Sequence, residues 1–311
     1  MKTKIVVVGL GGVGGYYGGL LARKYYKDEV VEVCFLSRGE HLVAIQQNGL
    51  KVIDDTEIFV AFPSLAADNA AQIGIADYII ICTKSYDLEA TIEQIKPMIA
   101  GHTVILPLLN GVDISYRISN LLPQIEVWNG CSYIISRRLE PGVIRSYGHL
   151  HALHFGYKNF NSNRLLSFDK ILVDAGVDAH LSDNSLHLMW TKFFFISLTA
   201  TLTSYFNVNF GCLVDDEDRR NTLIQMSDEL SMVAKSEGVC LDSNITEQVI
   251  QRLVKIGTTT TTSMHSDFLA GRNTELQTLT GVVVEMADRN GVNVPLYKKI
   301  YTELLNRLAI H

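Results

Sequence analysis

A glycine-rich loop near the start of the chain constrains the fold more than any other feature of the sequence. Residues 5–8 are all β-branched, and they are followed by Gly9, Leu10, Gly11, Gly12, Val13 and Gly14. Where such a loop joins a strand to a helix, its glycines permit a tight turn, close backbone approach to a pyrophosphate, and close packing of helix on strand. The N–H groups at the helix start then face the phosphates. The loop therefore predicts a dinucleotide-binding domain.

The signals for strands and helices alternate through the first half of the chain. Apolar, β-branched runs predict strands at residues 5–8, 30–36, 78–82 and 103–106, and the stretches between them predict helices at 14–24, 41–48 and 88–100. This alternation is typical of a parallel sheet covered by helices, so we expect an α/β, doubly wound Rossmann-type domain over residues 1–182. Residues 127–156, with a turn at Pro141 and Gly142, are expected to add strands to the edge of that sheet.

The second half of the chain has a different character. Residues 186–309 show helical periodicity and few strand signals, so we expect an all-helical C-terminal domain over residues 183–311. The five consecutive threonines at 258–262 predict a loop or the start of a helix. Residues 193–214 carry no charge, but serines, threonines, asparagines and a glycine interrupt their apolar pattern. This stretch favours a buried helix over a membrane span.

Composition and charge exclude several classes of function. The net charge is -6 at pH 7 and no Lys/Arg run stands out, which argues against a nucleic-acid partner. The five cysteines are scattered and lack C-x-x-C spacing, so we expect reduced thiols and no zinc site. His149, His151 and His154 would not all share one face of a strand, so no metal is expected there either. The apolar run at residues 5–8 is too short for a signal peptide, which predicts a cytoplasmic protein.

The end of the second predicted strand bears on the choice of dinucleotide. An NAD-binding domain usually places an acidic residue there for the ribose 2′-hydroxyl, whereas this strand is followed by Ser37 and Arg38. A guanidinium can hold a 2′-phosphate with two parallel charge-assisted hydrogen bonds, so NADP is the predicted cofactor. The alternatives are a ribose bound by Glu40 and an Arg38 that is only a solvated surface charge.

Two more polar residues follow predicted strands. Lys84 comes after the strand at 78–82, and Asn110 comes after the strand at 103–106. The carboxyl ends of parallel strands border the cofactor crevice of such a sheet, so Lys84 is a candidate for neutralising phosphate charge. Asn110 is a candidate for facing cofactor or substrate. The alternatives are a surface lysine and an ordinary Asn-Gly turn.

Lys192 is the candidate proton donor. It is the only charged residue in the aromatic stretch at residues 188–195. Reduction of a ketone leaves an alkoxide, so a reductase needs a proton-donating group beside the carbonyl oxygen. Burial of the ammonium without a partner would lower the pKa of the lysine, as a general acid near neutral pH requires. The alternative is a lysine whose ammonium extends to the helix surface.

Together with further motifs, these residues resemble the ketopantoate reductase family over nearly the whole chain. The motifs are the loop from Gly9 to Gly14, Ser37-Arg38-Gly39-Glu40-His41, Thr83-Lys84-Ser85, Asn110-Gly111-Val112, Pro141-Gly142-Val143-Ile144, Trp190-Thr191-Lys192, Ser263-Met264-His265-Ser266-Asp267 and Gly271-Arg272-Asn273-Thr274-Glu275. The resemblance implies a Rossmann domain followed by a helical domain. It also implies NADPH-dependent reduction of 2-dehydropantoate to (R)-pantoate, on the route to pantothenate and coenzyme A.

The resemblance also implies roles for single residues. Arg38 and Lys84 would bind the adenosine phosphate end of the cofactor, and Asn110 would lie near both nicotinamide and substrate. Lys192 would donate the proton, and Glu275 would face the reaction centre and the cofactor. The segment that would bind the substrate, a small 2-oxo acid, consists of Ser263, Met264, His265 and Ser266.

The chain departs from the family pattern just after Lys192. The family usually has asparagines one and two helical turns later, on the same helix face, where this chain has Ile196 and Ala200. Nearby polar candidates are Ser197, Thr199, Thr201, Thr203, Asn207 and Asn209. The departure leaves open a reductase of another branched 2-oxo acid. Apart from it, a non-catalytic NADP-binding sensor and a β-hydroxyacid dehydrogenase are competing alternatives. A homodimer also stays open.

Overall fold

The computed structural model of the chain describes residues 2–158, 162–256 and 260–309. Its contacts divide the chain into two compact units. Unit 1 comprises the residues up to Leu109 together with Asp113–Ser185, and unit 2 comprises Asn110–Val112 together with the residues from Leu186 onward. The chain therefore leaves unit 1 for a short excursion at Asn110–Val112 before it returns at Asp113.

The described strands all lie in unit 1. They are β1 (Thr3–Val8), β2 (Val31–Leu36), β3 (Leu50–Ile53), β4 (Ile58–Ala61), β5 (Leu65–Ala67), β6 (Tyr78–Ile81), β7 (Val104–Pro107), β8 (Glu126–Val127), β9 (Asn129–Glu140), β10 (Val143–Gly156) and β11 (Ala179–Leu181). The first sheet has the order β5-β2-β1-β6-β7-β8, and its neighbouring strands all pair in parallel. In the two central strands, residues 5–8 of β1 and 79–81 of β6 are apolar and buried, as expected where helices cover both faces of a parallel sheet. This sheet confirms the predicted Rossmann-type fold.

A second, five-stranded sheet was not expected from the sequence. Its order is β11-β10-β3-β4, with β9 antiparallel to β10. The prediction that residues 127–156 extend the edge of the first sheet was wrong, except for Val127 at the end of β8. The reason is that β10 pairs in parallel with β3, with Val52 opposite Ile144, and so joins a sheet of its own.

The helices were predicted well in type and less well in extent. They are α1 (Gly12–Lys24), α2 (Gly39–Asn48), α3 (Ala70–Ile73), α4 (Leu88–Ile95), α5 (Ile114–Leu121), α6 (Asn163–Asp174), α7 (Ser185–Phe206), α8 (Cys212–Asp215), α9 (Glu217–Ser236), α10 (Ile245–Ile256), α11 (Ser263–Leu269), α12 (Val282–Asn290) and α13 (Pro295–Ala309). Short 3-10 turns at Ser85–Asp87 and Lys96–Met98 flank α4, and a π-helical turn at Gln277–Gly281 precedes α12.

Helix α1 lies between the two sheets, and its glycines explain how. A β-carbon at Gly18 would lie 3.2 Å from the Phe35 ring of the first sheet. On the other side, a β-carbon at Gly19 would lie 2.6 Å from Val52 of the second sheet. The absence of side chains at these two glycines therefore lets one sheet pack on each face of α1. This packing fixes the position of α1 and thus of the loop that precedes it.

In the described part of unit 2 all regular structure is helical, as predicted. Most of its core is formed by apolar side chains from α7, α9, α10, α12 and α13. Glu229, which is buried in α9, accepts hydrogen bonds from the N–H groups of Leu296 and Tyr297 at 2.9 Å each. Since these are among the free N–H groups at the start of α13, the carboxylate fixes that helix end.

Two expectations about unit 2 need separate mention. The first concerns residues 258–262, which were predicted to form a loop or the start of a helix. Thr262 is the N-cap of α11, and residues 258 and 259 lie outside the described residues. The second expectation concerned membranes. Among the described helices, none has both the length and the apolar character that a bilayer span requires.

Candidate functional site

The glycine loop of unit 1 has the geometry of a phosphate-binding turn. Gly9 has a φ of 86°, which side chains rarely tolerate, and its N–H donates to the Leu36 carbonyl at 3.3 Å. A β-carbon at Gly9 would also lie 2.8 Å from the Thr83 backbone nitrogen. A β-carbon at Gly14 would overlap the Gly9 carbonyl. The loop can therefore form this turn only with glycine at both positions.

Gly11 differs from the other loop glycines because its missing side chain faces open space. No described atom lies within 4 Å of the place where its β-carbon would be. Gly11 is also the N-cap of α1, where no side chain caps the helix and the first turn holds no acidic residue. The first N–H groups of α1 thus lie beside open space, from which the phosphates of a dinucleotide could reach them. Leu10 and Val13 contribute only backbone, since their side chains pack into the core.

The charged residues expected beside the cofactor lie at strand ends of unit 1. Arg38 is the N-cap of α2, two residues after the end of β2, and its exposed guanidinium has no hydrogen bond or ion pair with another described residue. Glu40 lies exposed in the first turn of the same helix. Lys84 is half-buried at the start of the 3-10 turn that follows β6. Their positions at the carboxyl ends of parallel strands are those at which Rossmann sheets bind ligands.

His41 is a member of this site that sequence reasoning noticed only as part of a motif. Its buried ring donates from Nε2 to the Leu10 carbonyl at 2.8 Å, and its Nδ1 accepts from the Gly142 N–H at 2.8 Å. The ring therefore links the glycine loop to the hairpin turn between β9 and β10. Because Nδ1 is an acceptor, this link requires the neutral imidazole.

A pH titration tests the link. Burial is the main cause that lowers the pKa of His41, and the positive charge of Arg138 also lowers it, against the opposing effect of the Leu10 carbonyl. The folded protein then binds fewer protons than the unfolded one below the ordinary histidine pKa of about 6.5. The stability contributed by His41 is complete above about pH 6.5 and falls as the pH drops below it.

We therefore expect the NMR resonances of the His41 ring to titrate below pH 6.5 in the folded protein. In denaturant titrations, the stability difference between the wild type and His41→Gln should shrink as the pH is lowered from about 7.5 to about 5. A His41 ring that titrates at or above about 6.5 would contradict the assignment.

Three predicted residues meet in unit 2 as a chain of hydrogen bonds. Lys192 Nζ donates to Asn110 Oδ1 at 3.2 Å, and Asn110 Nδ2 donates to Glu275 Oε2 at 3.4 Å. The amide thus has its oxygen toward the ammonium and its nitrogen toward the carboxylate. Lys192 and Asn110 are half-buried, and Glu275 is only 3% exposed. We call these three residues the polar cluster.

Each residue of the polar cluster comes from a different part of the chain. Asn110 lies in the short excursion into unit 2, where Gly111 has a φ of 120° that suits only glycine. Lys192 lies in α7, and Glu275 comes two residues before the π-helical turn. Such π-helical turns are rare and often occur at functional sites. An ammonium, an amide and a carboxylate so arranged can orient a carbonyl compound and give it a proton.

The predicted substrate segment forms the start of α11. The Ser263 hydroxyl is exposed, whereas Met264 is fully buried. Both ring nitrogens of buried His265 are engaged, by the Thr261 hydroxyl at 2.7 Å and by Asn207 Oδ1 at 2.8 Å. The Ser266 hydroxyl donates to the Thr262 carbonyl at 3.0 Å. Of these four residues, Ser263 alone presents a side chain that a ligand can reach without breaking such a bond.

Comparison with known proteins adds independent findings. The family model "Ketopantoate reductase PanE/ApbA" matches residues 5–159, and "Ketopantoate reductase PanE/ApbA C terminal" matches residues 184–307. The crystal structure of 2-dehydropantoate 2-reductase from Porphyromonas gingivalis W83 is 34% identical, covers 98% of this chain and 100% of its own, and superimposes with a TM-score of 0.86. The chain belongs to the ketopantoate reductase family.

Two curated relatives are similar over nearly their full length. "Uncharacterized oxidoreductase YkpB" of Bacillus subtilis (strain 168) is 29% identical, over 97% of each chain. The 2-dehydropantoate 2-reductase of Halobacterium salinarum is 27% identical, over 96% of each chain. Membership of the ketopantoate reductase family confirms the resemblance that the motifs indicated, and it makes the chain a member of an oxidoreductase family.

The departure from the ketopantoate reductase pattern at Ile196 and Ala200 is not compensated by the neighbouring hydroxyls. The four hydroxyl-bearing candidates of α7 are all fully buried, namely Ser197, Thr199, Thr201 and Thr203. Their partners are Leu279 O and Tyr297 Oη for Ser197, Phe195 O for Thr199, Thr280 Oγ1 for Thr201, and Thr199 O for Thr203. Asn207 is also engaged, by His265. One turn beyond Lys192, the same helix face thus presents the aliphatic side chain of Ile196.

Two of the three histidines of β10 have structural partners, and the third, His149, is exposed. His151 Nε2 bonds the Ser146 hydroxyl at 2.9 Å, and His154 stacks on His180 with ring centroids 4.8 Å apart. Within residues 2–158, 162–256 and 260–309, no group of three or more His, Cys, Asp or Glu side chains is arranged to hold a metal ion.

Proposed function

We propose that the chain reduces 2-dehydropantoate to (R)-pantoate with NADPH, using Lys192 as the proton donor. The observation that carries the proposal is the polar cluster, in which a half-buried ammonium, an amide and a buried carboxylate are joined by hydrogen bonds. A non-catalytic sensor of NADP has no need of such a proton donor. Family membership supports the reaction class.

Each residue of the polar cluster has a distinct task in this proposal. Glu275 accepts from the Asn110 amide and so fixes which way the amide points. Asn110 then accepts from Lys192 and holds the ammonium at one end of the cluster. Lys192 stabilises the negative charge that develops on the carbonyl oxygen and donates a proton to it. The Ser263 hydroxyl and the ammonium together suit the substrate carboxylate.

We assign the nucleotide to residues 1–182. The glycine loop would bind the pyrophosphate with its backbone N–H groups, and Arg38 would bind the 2′-phosphate, with Lys84 nearby on the adenosine phosphate side. When bound, NADPH would supply the hydride. The cytoplasm is the compartment that we propose, and a homodimer remains a prediction.

The face of α7 one turn beyond Lys192 favours a second candidate substrate. Ile196 offers no hydrogen bond to a substrate hydroxyl, and the buried hydroxyls of α7 are already bonded. A site that lacks such a partner binds a substrate hydroxyl less well than a methyl group, because the desolvated hydroxyl stays unpaired. A branched 2-oxo acid without a hydroxyl group is therefore the second candidate.

The test is a steady-state assay with two matched 2-oxo acids. Purified protein is mixed with NADPH or NADH and with either 2-dehydropantoate or 3,3-dimethyl-2-oxobutanoate, which lacks only the hydroxyl. We expect NADPH to be oxidised with at least one of the two acids, and kcat/KM decides between them. Tight NADPH binding without turnover on these or other 2-oxo acids would refute the proposal and favour the sensor. NADH that serves as well as NADPH would refute the cofactor assignment.

A further inference from the structure

The hairpin of β9 and β10 runs along the glycine loop. A β-carbon at Gly12 would overlap the carbonyl of Ser136 in β9, so the two backbones are in direct contact. At its turn, the hairpin is fixed by the Gly142 N–H, which donates to His41, while His41 donates to the Leu10 carbonyl. The hairpin is therefore fixed to both Leu10 and Gly12 of the loop.

Arg138 lies between these two points of attachment. It comes two residues after Ser136 and pairs with Ile144, whose side chain fills the space beside Gly15 in α1. Alternate residues of a strand share a face, so Arg138 and Ser136 point the same way. The backbone of Arg138 thus runs between the start of α1 and the first turn of α2.

The guanidinium of Arg138 has no described partner, whereas the guanidiniums of its neighbours are engaged. Arg137 donates from Nε to the Tyr147 hydroxyl at 2.9 Å, and Arg145 forms an ion pair with Asp55. The exposed guanidinium of Arg138 has no hydrogen bond or ion pair with any residue that the structure describes. Besides burial, the charge of Arg138 lowers the pKa of His41, which agrees with the position of the hairpin backbone beside that ring.

Arg38 lies near His41 along the chain, at the start of the same helix. It is the N-cap of α2, three residues before His41, and it too has no ion pair among the described residues. Two exposed guanidiniums without an ion pair among the described residues thus lie on the two segments that His41 joins. An anion that both could reach would be bound by two positive charges.

We propose that Arg138 is a second phosphate-binding residue, which holds the 2′-phosphate of the dinucleotide together with Arg38. The inference rests on the proposed function for the nucleotide itself, and it adds the hairpin as a part of the binding site. Two guanidiniums can bind a dianionic phosphate more tightly than one. NADPH would then be distinguished from NADH by two residues from separate segments of unit 1.

The test measures nucleotide affinity and not turnover. NADPH and NADH are titrated by fluorescence into the wild type, Arg138→Ala and the control Arg137→Ala, whose guanidinium is held by Tyr147. We expect Arg138→Ala to raise the Kd for NADPH by about 10- to 100-fold, as loss of a charge-assisted pair should. The Kd for NADH should change by less than about 2-fold. Arg137→Ala should bind both nucleotides like the wild type.

The outcomes separate this inference from the proposed function. An unchanged NADPH Kd in a folded Arg138→Ala protein would overturn the role of Arg138 alone. Equal losses for NADPH and NADH would overturn the assignment to the 2′-phosphate. A wild type that binds neither nucleotide would overturn the proposed function and this inference with it. A loss confined to NADPH and to Arg138→Ala supports the proposal.

Discussion

Replacement of Lys192 by alanine is expected to lower kcat by about 100-fold or more, while NADPH binding stays nearly unchanged. The ammonium is the only group of the polar cluster that is both cationic and a proton donor, so no neighbour in the cluster replaces it. Without it, the alkoxide that forms on reduction has no proton donor there and no positive charge beside it. The loss should appear in turnover because the interaction is strongest in the transition state.

The measurement needs a control that removes a charge elsewhere. Lys299→Ala changes an exposed lysine of α13 in the same unit and should keep wild-type turnover. Steady-state kinetics and nucleotide titrations are compared for all three proteins, after circular dichroism has shown that each is folded. A Lys192→Ala protein with full turnover would show that another residue donates the proton.

Replacement of Gly11 by alanine is expected to weaken NADPH binding by about 10-fold or more, which corresponds to about 1.4 kcal/mol, without loss of stability. Gly11 has a φ of -72°, so alanine fits its backbone, and its β-carbon would meet no described atom. The same β-carbon would project into the open approach to the first N–H groups of α1. The methyl group should therefore affect the nucleotide and not the fold.

Gly14→Ala is the matched comparison because its β-carbon would overlap the Gly9 carbonyl. Such overpacking typically costs about 1–3 kcal/mol, so this variant should lose stability as well as binding. Thermal unfolding and NADPH titration are measured on both variants. If Gly11→Ala were to bind NADPH like the wild type, the open side of the loop would not be where the phosphates approach.

The four inner strands of the first sheet could be predicted because their information is local, whereas the three-residue edge strand β5 was not predicted. β1, β2, β6 and β7 are apolar runs bounded by glycine, serine or polar turns, and the glycine loop fixes how the first of them connects to α1. The second sheet could not be predicted in the same way. Its pairing of Val52 with Ile144 joins residues about ninety positions apart, and β11 has only three residues. Nothing in a short run of sequence specifies such a pairing.

The candidate site was predictable in its residues but not in its contacts. The motifs singled out Asn110, Lys192 and Glu275, yet only the fold shows that the amide lies between the other two. The role of His41 depends on a hairpin that was expected at the edge of the other sheet. Likewise, the sequence left the hydroxyls of α7 as candidates for the substrate, and only their buried hydrogen bonds show that they are engaged.

Isotope transfer tests the central claim, that the chain moves a hydride from a nicotinamide to a 2-oxo acid. NADPH that carries deuterium at both C4 positions is incubated with the protein and the better of the two acids, and the hydroxy acid is examined by mass spectrometry and NMR. The proposal predicts one deuterium per product molecule, bound to C2. A hydroxy acid without deuterium at C2, or none at all from a folded protein that binds NADPH, would contradict it.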